Sequence, residues 1–130
     1  MGAAGSRPVV LDAGALIALE RGHPQIRSLV RLAHEKAVSI VIPAGALGQV
    51  WRDGARQARL AALVGSPTSQ VEILDESTAK AAGALCGRSG TADLIDASVV
   101  LAALTRSAIV VTSDPHDLLR IHPALPIEVV

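Results

Sequence analysis

Short runs of apolar, largely β-branched residues alternate along this chain with longer stretches in which apolar positions recur every three or four residues. The short runs predict strands at 8–12, 38–42 (closed by Pro43), 71–74, 108–111 and 127–130. Between them the spacing predicts helices over 14–20, from Pro24 through Ile26, Leu29, Val30 and Ala33, and over 44–53, 55–64 and 115–121. A further helix is capped by Ser77 or Thr78 and runs through Leu85 to a stop near Gly87. The longest, 91–105, is apolar almost all round beyond Asp96, which predicts a central, buried helix. Strands alternating with helices pair in parallel through right-handed crossovers, so the expected fold class is α/β, a three-layer sandwich around a central, mostly parallel sheet.

Length and composition sharpen this picture. A chain of 130 residues makes one domain with a real core, expected to span 1–130 with 1–7 as a flexible head. With one Trp and neither Phe nor Tyr, that core is built from Ala, Val, Leu and Ile. Twelve basic and twelve acidic residues balance, so any polyanionic partner must be held by a local patch. Cys86 stands alone, which rules out an internal disulfide, fits a reducing cytoplasm, and reads as a small helical hydrophobe. The first residues lack the apolar core of a signal peptide, and 92–104 is too short and too acidic to span a bilayer. The expectation is a cytoplasmic protein without a membrane partner.

The chemistry lies in the aspartates. Asp12 follows the first strand, Asp114 follows the fourth, and Asp93 and Asp96 open the long helix at a spacing that sets both on one side. Each has a structural explanation as a cap or first-turn acid: Asp12 for the following helix, Asp93 behind a Thr91 cap, and Asp114-Pro115-His116-Asp117 as a helix start. Caps need not converge, however, whereas carboxylates at the carboxyl ends of neighbouring parallel strands face one crevice. An unpaired buried carboxylate costs several kcal/mol, so Asp96 calls for a cation. A hard divalent ion, Mg²⁺ or Mn²⁺, answers all of them.

The stretch Val9-Val10-Leu11-Asp12-Ala13-Gly14-Ala15-Leu16-Ile17-Ala18-Leu19 resembles the opening of PIN domains. Thr91-Ala92-Asp93-Leu94-Ile95-Asp96-Ala97 resembles their third acidic motif, and Val111-Thr112-Ser113-Asp114-Pro115-His116-Asp117-Leu118 their fourth. Order and spacing agree across essentially the whole chain, and the layout is most similar to the VapC-type toxin ribonucleases of bacterial toxin–antitoxin pairs. The resemblance implies metal-dependent hydrolysis of RNA to a 5′-phosphate and a 3′-hydroxyl. Asp12, Asp93 and Asp114 would hold Mg²⁺ or Mn²⁺, with Asp96 or Asp117 as an additional ligand or in support. It also implies a VapB-like antitoxin, received by an apolar groove near Ile17, Leu19, Leu29, Leu32 and the 44–64 region, and a homodimer. One position departs from the pattern: Gln49 stands where these domains usually carry a glutamate, so it would orient water but brings no charge.

RNA would need a positive rim, for which Arg52, Arg56 and Arg59 are the candidates, at nearly helical spacing beside Gln49. A solvated helix face explains them equally well. Trp51 is a candidate for base stacking, though a lone Trp is more often core or interface. His23, His34, His116 and His122 lack zinc spacing, and His116 reads as a surface residue beside the site. A phosphorelay receiver would need a lysine after its last strand, but only Lys36 and Lys80 are present. A haloacid-type phosphatase would need Asp-x-Asp where the chain has Asp12-Ala13-Gly14, and no phosphate-binding glycine loop occurs. The rival from another class is a PIN-fold protein that has lost catalysis and acts by binding RNA or protein; Gln49 is the argument for it.

Overall fold

A computed structural model describes residues 7–130. Their elements run β1 (Val9–Leu11), α1 (Ala13–Glu20), α2 (Pro24–Glu35), β2 (Ile40–Pro43), α3 (Ala44–Val50) and α4 (Ala58–Val64). They continue with β3 (Ser69–Glu72), α5 (Glu76–Ser89), α6 (Leu94–Arg106), β4 (Ile109–Thr112), α7 (His116–Ile121) and β5 (Ile127–Val129). The sheet has the order β3-β2-β1-β4-β5, and every pairing is parallel. The α/β class predicted from the alternation is the class observed. From β1 the chain winds outward through β2 and β3, then returns to place β4 and β5 on the other side. The switch point of the sheet therefore lies between β1 and β4, where such folds form their crevices.

Burial explains why the central strands are unbroken apolar runs. Val10, Leu11, Ile40, Val41, Ile42, Val110 and Val111 are covered on both faces and at most 1% exposed. The core they share with Leu16, Ile26, Leu60, Val99, Val100 and Leu118 is aliphatic throughout. α6 packs on β1, β2 and β4 and runs beside α5. Its buried residues are small or β-branched (Ala97, Ser98, Val99, Val100, Ala102, Ala103), which lets the helix lie close to the strands.

Several boundaries differ from the expected ones, each for a local reason. α3 stops at Val50 and α4 begins at Ala58, so 51–57 is a loop and not the continuation of two helices. β3 occupies 69–72 and not 71–74, because β2 ends at Pro43 opposite Glu72 and offers no partner to Ile73. Ile73 and Leu74 are consequently exposed. The cap of α5 is Asp75, whose carboxylate accepts the Thr78 N–H at 2.9 Å, not Ser77 or Thr78. That helix passes through Gly87 and ends at Gly90, which takes the left-handed φ of +73° that a glycine adopts without strain. α6 is not buried all round: Leu94 and Leu104, in its first and last turns, are exposed. The expectation of a flexible head falls mainly on 1–6, outside the described residues; Arg7 is exposed, and its Nε donates to the Ser107 carbonyl at 2.9 Å.

Candidate acidic active site

The site forms where β1 and β4 end side by side. Leu11 pairs with Val111, and the Asp12 N–H donates to the Val111 carbonyl at 3.3 Å, so Asp12 leaves the sheet at its carboxyl edge. Asp12 also caps α1, its Oδ1 accepting the Ala15 N–H at 2.9 Å. Gly14 keeps this turn close to the loop after β4: a Cβ there would lie 2.4 Å from Ser113 Oγ. Across the switch point, the buried Thr112 hydroxyl serves both aspartates. It hydrogen-bonds to Asp12 and accepts the Asp114 N–H at 3.0 Å. Asp114 is exposed, and its Oδ1 accepts the His116 N–H at 3.3 Å at the start of α7.

The third wall is α6. Asp93 is itself the cap of this helix, and Thr91 serves it by accepting its N–H at 3.2 Å; the expected Thr91 cap with Asp93 in the first turn is thus shifted by two residues. Asp93 Oδ1 accepts the Asp96 N–H at 2.9 Å. A cleft of about 130 Å³ is lined by Asp12, Gly14, Gln49, Asp96, Ser113, Asp114 and Asp117. A second recess of about 210 Å³ adjoins it, lined by Asp93, Asp96 and Asp117 together with Ser89, Thr91 and Arg120. Asp96 and Asp117 form the shared wall. The chain thus brings together Asp12, Asp96, Asp114, Asp117 and Gln49, while Asp93 faces the neighbouring recess.

Electrostatics set this place apart. Burial raises the Asp12 carboxyl above its ordinary range; the Thr112 hydroxyl and the Ala15 and Gly14 N–H groups oppose the shift, and Asp114 adds to it. Asp96 is pushed up to about 6, first by burial, then by the charges of Asp93 and Asp117, by its hydrogen bond with Asp93, and by Asp12. Helix caps alone would not produce such mutual repulsion. The donor set is all hard oxygen, which suits Mg²⁺ or Mn²⁺ in chemistry and in charge. As they are placed, no three acidic, His or Cys side chains among the described residues converge closely enough to form a finished cage.

The arginines do not form one stripe, because 51–57 is not helical. Arg52 folds back on the end of α3, Arg56 pairs with Asp53 at 3.7 Å on the surface, and Arg59 lies under Gly22, donating to the Glu20 carbonyl at 3.3 Å. Trp51 is partly exposed beside them, its ring against Gly54. Thr112 and Gln57 escaped the sequence reading. Thr112 ends an apolar run and gives no outward sign of its two partners, and Gln57 sits within a stretch read as helix.

A parallel α/β sheet with carboxylates collected at its switch point has its candidate site in the crevice where open α/β sheets bind their ligands. The chain belongs to the PIN domain family, whose pattern it matches over residues 9–121. Among solved structures it is similar to the crystal structure of VapBC2 from Rickettsia felis bound to a DNA fragment from their promoter, with a TM-score of 0.70 and 16% identity over 94% of this chain and 98% of that one. It is also similar to PAE2754 from Pyrobaculum aerophilum, with a TM-score of 0.61 and 18% identity over 93% and 90% of the two chains. No curated protein matches the sequence significantly. No helix among the described residues is long and apolar enough to cross a membrane.

Proposed function

We propose that this protein is a Mg²⁺- or Mn²⁺-dependent endoribonuclease and the toxin of a toxin–antitoxin pair, working in the cytoplasm. The observation that carries this reading is the acidic cleft at the switch point, where Asp12 and Asp96 are both held above the ordinary carboxylate range. Asp12, Asp114 and Asp96 would hold the ion, with Asp93 as a further ligand from the adjoining recess and Asp117 supporting Asp96. A bound ion lowers the pKa of water and offsets the charge that grows on a phosphate under in-line attack. The chain's own contribution is orientation. Thr112 fixes the Asp12 carboxylate, the α1 and α6 caps fix Asp12 and Asp93, and the Gln49 amide reaches the same cleft, where it can hold a water by its carbonyl oxygen.

The VapBC2 likeness supports an antitoxin partner, and the surface offers a place for one. Between α2 and α4 runs a groove of about 330 Å³ with Leu19, Val30 and Leu63 on its floor and Arg27, Arg31 and Arg59 on its rim. On the other flank of α2, Leu29 and Leu32 line a wider groove of about 560 Å³. A second copy of the chain, in a homodimer, is the other partner proposed.

The test is cleavage of a pool of structured RNA by the purified protein, with and without Mg²⁺ or Mn²⁺, beside an Asp12→Asn/Asp93→Asn variant. Cutting that disappears with EDTA and in the variant is the expected result. Gln49 favours one alternative, a PIN-fold protein that binds RNA or protein without cutting. Folded, inhibitor-free protein that binds RNA and leaves it intact would establish that alternative.

A further inference from the structure

One buried side chain organises the loop between α3 and α4. Gln57 is 5% exposed, and every hydrogen-bonding role of its amide is filled. Its Oε1 accepts the N–H groups of Arg52 at 2.8 Å and Asp53 at 3.0 Å. Its Nε2 donates to the Val50 carbonyl at 2.9 Å and to Glu20 Oε1 at 2.8 Å. Glu20 fixes the sense of the amide, since a flip would set Oε1 against a carboxylate and a carbonyl. The same four bonds terminate α3, turn the chain, and tie the loop to the last turn of α1, 37 residues away in sequence.

Arg52 is the residue this arrangement presents. Its N–H is held by Gln57, and its guanidinium lies over the carbonyl end of α3, with Nη1 donating to the Trp51 carbonyl at 2.7 Å and the Gly48 carbonyl at 3.3 Å. Gly48 precedes Gln49, which lines the acidic cleft. Arg52 makes no ion pair among the described residues, whereas Arg56 is paired with Asp53. An RNA phosphate nearing a wall of carboxylates needs a cation fixed beside that wall, and a preorganised one binds without the cost of ordering a loop.

We infer that Gln57, oriented by Glu20, is a positioning residue that holds Arg52 at the carboxyl end of α3, one turn beyond the cleft residue Gln49, as a contact for an RNA phosphate. The inference rests on the ribonuclease reading. It is tested with a short fluorescein-labelled single-stranded RNA, by anisotropy in EDTA across a salt series and by cleavage with Mg²⁺. Arg52→Gln should weaken binding roughly five- to tenfold and lower the slope of log affinity against log salt by about 0.7, one phosphate's worth. Gln57→Ala should do the same, raising KM and leaving kcat unchanged, but it should add nothing when Arg52→Gln is already present. Glu20→Gln, which still offers an oxygen to Nε2, should behave as wild type; Glu20→Ala should reproduce part of the loss without emptying the loop's centre. A folded Gln57→Ala or Glu20→Ala protein with unaltered binding, beside a wild type that cuts, overturns the positioning role alone. Equal losses in the presence and absence of Arg52 overturn it too. A wild type that neither binds nor cuts RNA overturns the ribonuclease reading and this inference with it.

Discussion

Replacing Asp96 with Asn should stabilise the protein at neutral pH in the absence of metal. Folding raises the Asp96 carboxyl from 3.8 to about 6, so the folded chain binds its proton more tightly than the unfolded one. The ionised form is therefore penalised in the folded state. The penalty is complete above about pH 6 and fades as pH falls toward 3.8, below which both states carry the proton. At about 1.4 kcal/mol per pH unit, the gap would amount to about 3 kcal/mol in a sealed site. Asp96 is only half-buried, and the water it retains reduces this to about 1–1.5 kcal/mol. For a chain of this length that corresponds to a Tm higher by about 3–6 °C. Thermal unfolding followed by far-UV circular dichroism in EDTA would measure it. About half the gain should survive at about pH 5 and little at about pH 4. An Asn variant no more stable than wild type at neutral pH, or one whose gain is indifferent to pH, would refute the claim that folding penalises the ionised Asp96.

Added Mg²⁺ should offset that difference: an ion present at about ten times its dissociation constant contributes about 1.4 kcal/mol, and a Tm titration should show wild type gaining while Asp12→Asn gains little. Gly45→Ala should change stability by less than about 1 kcal/mol, because its Cβ would meet only the terminal Cδ1 methyl of Ile95, which can turn away, while alanine favours the helix by about 0.5–1 kcal/mol. Adding Ile95→Val, which removes that methyl, should reduce whatever the contact costs in urea unfolding. Arg106→Ala breaks a partly buried pair with Glu72 and should cost about 1–2 kcal/mol, with little dependence on salt, since both side chains are largely covered.

The strands were legible because burial on both faces demands unbroken β-branched runs, and an aspartate directly after such a run has few places to go but the sheet edge. That β1 and β4 are neighbours does not follow from the order of the elements; the strand order β3-β2-β1-β4-β5 meets that condition. What the sequence concealed depends on partners far away along the chain. Residues 51–53 and 55–57 read as the end of one helix and the start of the next, yet Gln57 prefers to spend its amide on Val50, Arg52, Asp53 and Glu20, and both helices are cut short. For the same reason the supposed arginine stripe divides, with Arg59 turned toward α1 and Arg52 toward α3. Asp93 was expected beside Asp12, but as a cap its carboxylate is tied to the N–H of Asp96 and faces the adjoining recess. Only the placement of whole helices decides such matters.

Trp51 is the sole aromatic side chain in the protein, and it stands on the very loop that Gln57 secures, with 37% of its surface in water. The molecule is thus optically silent in its core and carries a single fluorophore on the loop that follows α3. Its emission would report ligands arriving at that loop without any label, and would respond to loosening of the loop before the sheet gives way. Fluorescence and circular dichroism melting curves that fail to coincide would therefore locate an early opening at this one segment, rather than an intermediate of the whole fold.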